Sequence, residues 1–159
     1  MIEIVDVLRW AHIIGATVLL GTGAGIAFFM LMAHRSRDAT IITHTAGVVI
    51  IADWIFTASA VIAQPVTGFL LAREIGWDLS EGWIVVSLAL YAGVGLFWLP
   101  VVWMQHQMHK LARDAAVKNA PLPDRYFSLF RRWFLSGFPA FFGVMLILWL
   151  MVARPEISF

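Results

Sequence analysis

The sequence predicts an all-α integral membrane protein, a four-helix bundle with both termini on the outer side. Three observations carry that expectation. The chain has 159 residues, of which 61% are hydrophobic and 13% charged, well below the ~25% charged content of a soluble domain. Four stretches, roughly 7–33, 45–71, 83–106 and 133–153, each hold the ~20 apolar residues that a membrane-spanning helix needs. Basic residues sort by side: the first and third connections carry Arg35, Arg37, Lys110, Arg113, Lys118, Arg125, Arg131 and Arg132, against Arg9, Arg73 and Arg154 elsewhere. The positive-inside rule places those two connections in the cytoplasm.

The first span begins at "RWAHIIG" and continues through "GTGAGIA". That Gly-rich run is no nucleotide loop, which needs a strand before it and a soluble helix after it. Gly21 and Gly25 instead form a small-xxx-small pair that lets helix backbones approach closely. Gly15, Ala16 and Gly23 form a second small surface, so this helix is expected to pack on more than one side. A cleavable signal peptide is not expected, because Glu3 and Asp6 stand where basic residues belong.

The second span carries a polar stripe at helical spacing: Asp53, Thr57, Gln64 and Thr67. The third carries Ser87, Tyr91, Trp98, Gln105 and His109 on one face. Lipid offers no hydrogen bonds, so the two stripes should turn inward. Asp53 is the costliest of these: it lies roughly 10 Å inside the cytoplasmic edge, where a bare carboxylate would cost several kcal/mol. It reads either as a proton-handling carboxylate or as a structural hydrogen bond, with Arg131, Arg132, Tyr91 and Trp98 as candidate partners. Pro65, Pro100 and Pro139 interrupt spans two to four, and each frees a carbonyl that a neighbour must satisfy. Pro121 and Pro123 break the long third connection. Trp10, Trp77, Trp83, Trp133 and Trp149 fall near span ends, where interfacial anchors belong.

Cysteine is absent, which removes disulfides, thiolate metal sites, iron–sulfur clusters and covalent c-type haem. Of five histidines, His34, His44, His106 and His109 sit at the cytoplasmic ends of spans and form at most a weak metal cluster. His12 stands alone on the other side, followed on its face by Gly15, Ala16, Leu19 and Gly23. A ligand followed by small residues suits a flat macrocycle lying on a helix. With no second histidine on that side, haem b on His12 would take Met145 or Met151 as its second ligand, or be five-coordinate. The other reading is a histidine hydrogen-bonded to Gln64 or Tyr91.

The segment "VLRWAHIIGATVLLGTGAGIAFFMLMAHR" resembles the first helix of the HemJ-type protoporphyrinogen IX oxidases, and "RYFSLFRRWF" with "LMVARP" resembles their last segment. That resemblance implies b-haem bound through His12, with His34 matching a later family histidine. Over most of the chain, "AHRSRD", "IADWIFTASAVIAQPVTG" and "LYAGVGLFWLPVVWMQ" resemble a bacterial family of four-helix integral membrane proteins of unknown function. That likeness implies a fold and an inner-membrane location rather than a reaction. The copper-resistance D family also begins with a similar His-bearing helix.

Two functions are therefore expected. One is a redox-associated protein holding haem b, with His12 (also the candidate metal ligand), Met145, Gly15 and Gly23 at the cofactor and Asp53, Gln64 and Tyr91 as catalytic residues. The other is a cofactor-free assembly subunit packing against itself or membrane partners; a copper-related protein is a third. The expected partners are the lipid bilayer and other membrane helices, with no role for nucleic acid.

Overall fold

A computed structural model describes residues 3–158 and is helical almost throughout. Four helices run up and down: α1 (Ile4–Ser36), α2 (Ala39–Ile75), α3 (Gly82–Val117) and α4 (Asp124–Ala153). All four are long and apolar enough to cross a membrane. Short connections force antiparallel neighbours. α1 packs on α2, α2 on α3, α3 on α4, and α4 closes weakly back on α1.

Each turn has a local cause. α1 ends at Arg37, which takes a left-handed conformation (φ 56°) while its N–H caps the His34 carbonyl. Asp38 then starts α2 by accepting from Thr40 N at 2.7 Å and Ile41 N at 3.2 Å, the N-cap geometry that satisfies free amides. α2 stops at Gly76 (φ 83°), whose N–H returns to Ala72 and Arg73; glycine adopts that left-handed conformation without steric cost.

The helices outrun the spans read from the sequence. The segment 107–132, expected to be a long connection, is mostly helix, and only residues 118–123 separate α3 from α4. At about 1.5 Å per residue the 36-residue α3 is ~54 Å long, against a hydrocarbon core of about 30 Å. A helical hairpin therefore projects at the basic end. It is held by Ala112, which packs in one buried cluster with Tyr126, Leu129 and Phe130.

The hydrophobic core lies toward that basic end. Ile26, Met30 and Ala33 of α1 meet Ile42, Ala46 and Val49 of α2, Met104 and Met108 of α3, and Phe130 and Trp133 of α4. Trp133 (4% exposed) and Trp83 (6%) are buried rather than interfacial. Their indoles are large enough to fill gaps between helices, whereas Trp10 and Trp149 do stand exposed.

Several glycines elsewhere on the bundle have no neighbour. An added Cβ at Gly21, Gly23, Gly25, Gly93, Gly95 or Gly137 would meet nothing within 4 Å. The expected close approach at Gly21 and Gly25 is thus not made within the chain. Two apolar grooves occupy the half opposite the core. One, of about 480 Å³, lies between α3 and α4 beside Gly93 and Gly143. The other, of about 460 Å³, lies between α1 and α4 beside Gly21 and Phe141.

Candidate functional site

The site around His12 is built where α1 and α2 meet at Gly15 and Gly68. His12 Nδ1 lies 2.9 Å from Thr67 Oγ1, and Gln64 Nε2 donates to the His12 carbonyl at 2.7 Å. The imidazole rests on Gly68, where a Cβ would stand 3.0 Å from its Cε1. The Gln64 carboxamide lies directly over Gly15, inside the distance any Cβ would allow. Two glycines, one per helix, thus let each helix seat the other's polar side chain.

The hydrogen bonds assign the tautomer. Thr67 has one hydroxyl proton, and the Ala63 carbonyl 2.7 Å away can only accept it. His12 Nδ1–H must then donate to Thr67 Oγ1, which leaves Nε2 as a free lone pair. Such a nitrogen accepts a hydrogen bond or ligates a metal.

The expected neighbours of His12 are only partly assembled. Gln64 and Gly15 are present, but Gln64 holds the backbone of His12 and Thr67 holds its ring. Tyr91 points elsewhere: its hydroxyl donates to the Val61 carbonyl at 2.6 Å. Pro65 lacks the N–H that would reach Val61 four residues back, so α3 supplies the missing donor. Met145 is 43% exposed on the outer wall of α4. Gly23 borders open space.

This arrangement does not fit a haem lying along α1. The surface over Gly15 is taken by Gln64, and the ring of His12 is pressed against the backbone of α2 at Gly68. Among the described residues, no group of three or more His, Asp or Glu side chains stands close enough to hold a metal ion. The histidines of the basic end are not gathered either. His34 stacks on Phe130 at 3.6 Å between centroids and 2° between planes, and its Nδ1 lies 3.4 Å from Tyr126 Oη. His106 Nδ1 returns to the Val102 carbonyl at 2.9 Å.

Asp53 opens a five-residue π-turn, Asp53–Thr57, in the middle of α2. Such turns concentrate at functional sites, and no pattern in the apolar spacing announces this one. Asp53 is 5% exposed and Thr57 8%. Arg131 and Arg132 are both exposed. Among the described residues the one ion pair is Arg9–Asp6 at 3.5 Å, so neither arginine reaches Asp53.

No curated protein and no solved structure matches the chain. The resemblances to HemJ-type oxidases and to the copper-resistance D family gain no support from these comparisons. Residues 6–155 do match the family described as "Predicted integral membrane protein (DUF2269)". That match covers nearly the whole chain, and the protein belongs to this family.

Proposed function

We propose that this protein is a cofactor-free assembly subunit of the bacterial inner membrane, packing its unfilled glycines against other membrane helices or further copies of itself. One observation carries the reading. The six glycines Gly21, Gly23, Gly25, Gly93, Gly95 and Gly137 expose backbone at membrane depth with nothing within 4 Å of an added Cβ. Without a hydrophobic drive between helices in lipid, small residues of this kind mark surfaces where backbones meet. The basic connections face the cytoplasm and both termini face outward, as the distribution of Lys and Arg supports.

The absence of native cysteine makes the test clean. Gly21→Cys and Gly25→Cys, oxidised in native membranes, are expected to form a cross-linked dimer or, when treated with a short bifunctional maleimide, a defined adduct with one partner. Gly47→Cys, beside His109 within the bundle, is the control and should form neither. Monomer alone at all three positions overturns the reading.

The redox alternative, haem b on His12, has one favourable feature, the lone pair that the hydrogen-bond pattern assigns to Nε2. It requires Gln64 and α2 to leave α1. The discriminating measurement is the visible spectrum of protein purified from haem-replete cells. A Soret band abolished by His12→Ala establishes the haem reading, and a colourless protein removes it.

A further inference from the structure

Four buried side-chain atoms have no hydrogen-bond partner within the described chain: Thr57 Oγ1, Trp98 Nε1, Gln105 Oε1 and Trp133 Nε1. Three of their residues are more than nine-tenths buried, with Gln105 at 2%, Trp133 at 4% and Thr57 at 8% exposure. Buried polar atoms in folded proteins are nearly always satisfied, by protein or by ordered water. Four exceptions in one small bundle call for a cause.

The π-turn explains Thr57. The other buried aliphatic hydroxyl, Ser87, donates to the carbonyl four residues back, Trp83, at 2.7 Å. The equivalent acceptor for Thr57 is the Asp53 carbonyl, which the π-turn directs at the N–H of Ala58 five residues on, and the Thr57 hydroxyl makes no bond to it. Thr57 is left over, and Asp53 lies one turn away with its carboxyl bonded to no other side chain.

The registers bring the remaining atoms to one stretch of the interior, about 10 Å long from Trp98 to Gln105. Tyr91 of α3 bonds to Val61 of α2, and His109 of α3 lies 3.6 Å from where a Cβ of Gly47 would be. Trp98 and Gln105 lie between those two contacts, at steps of about two helical turns from Tyr91, and so share its face. They therefore look onto residues 47–61 of α2, the stretch holding Asp53 and Thr57. On α4, Gly143 meets Val94 of α3, and counting along the antiparallel pair brings Trp133 level with Gln105.

The chemistry of the set is mixed. Two indole N–H groups only donate, the Gln105 carbonyl oxygen only accepts, and the Thr57 hydroxyl does both. A metal cation would leave the indoles unmet, and an anion would leave the carbonyl unmet. Water meets both kinds at once, and a buried water typically makes about three hydrogen bonds of this sort. We propose that the interior between α2, α3 and α4 is a water-binding site. Its waters accept from Trp98 and Trp133, donate to Gln105 and reach Thr57 and Asp53.

Radiolytic hydroxyl-radical footprinting of the full chain in lipid nanodiscs tests this, because bound water generates the radical at the residues it touches. The controls are internal: Met30 and Met108 are fully buried in the apolar core and intrinsically as readily oxidised. Trp98 and Trp133, resolved by fragment masses, are expected to oxidise several-fold faster than Met30 and Met108. Gln105→Leu, which removes the acceptor and keeps the bulk, is expected to slow Trp133 several-fold. If the wild-type indoles are as protected as Met30, or if Gln105→Leu leaves the Trp133 rate unchanged, the proposal is overturned.

Discussion

Tyr91 and Pro65 form one unit although they sit on different helices. The proline leaves the Val61 carbonyl without its helical donor, and the tyrosine hydroxyl replaces it at 2.6 Å. Tyr91→Phe should therefore destabilise the bundle by about 1 kcal/mol, within the range for interhelical hydrogen bonds in membranes. In a Pro65→Ala background the alanine N–H reaches Val61, and Tyr91→Phe should become nearly neutral. A double-mutant cycle on unfolding in mixed micelles measures that coupling; additive effects would show that the two residues act separately. At the His12 site, Gln64→Leu should cost a similar ~1 kcal/mol. Gly15→Leu should be much worse, because the Gln64 carboxamide already fills the space of its Cβ. Comparable losses in the two variants would contradict the packing described.

At the scale of elements, α2 is the helix on which most of the architecture turns. It starts at Asp38, whose carboxylate meets two free amides. Asp38→Ala should cost about 1 kcal/mol and raise hydrogen exchange first at Thr40 and Ile41. The far end of α3 is fixed differently. The C-terminal tail folds back so that Ile157 lies against Gly82, and the Arg154 guanidinium sits 4.4 Å over Trp77 and 5.9 Å from Trp83. Trp83 in turn donates to Glu81 at 2.6 Å. Arg154→Ala should loosen this clamp by about 0.5–1 kcal/mol, the usual range for a solvent-accessible cation–π pair. The observable is faster proteolysis after residue 153, with the basic end unaffected.

Across the whole molecule, packing is uneven. The basic half holds the apolar core and the other half holds both grooves, while unfilled glycines extend from the grooves to Gly25, beside Ile26 of the core. The charge distribution predicts which half faces which compartment. Ser80→Cys, between α2 and α3, should react with an impermeant maleimide added to intact cells. Lys118→Cys, between α3 and α4, should react only after the membrane is opened. The reverse pattern would overturn the orientation that the Lys and Arg distribution predicts.

The sequence by itself determined the four spans, the two-sided distribution of charge, the inward polar stripes and the need to satisfy the carbonyl freed by Pro65. These follow from the solvent: a bilayer tolerates neither bare backbone nor scattered charge, so hydropathy and Lys/Arg placement carry the answer residue by residue. It also singled out His12, Gln64 and Gly15, which do meet. Tertiary structure alone decided that Thr67 and Gly68 complete that group, that Met145 and Tyr91 stand apart from it, and that Trp133 is interior. It alone revealed the π-turn at Asp53. Those outcomes depend on helix register and crossing, which arise from many small contacts summed over whole interfaces. Gly15 and Gly21 look alike in the sequence, yet one receives the Gln64 side chain and the other faces open space. The difference is helical phase: six residues on from Gly15 the helix has turned by about 600°, so Gly21 lies in the groove toward Phe141 and Leu148 of α4.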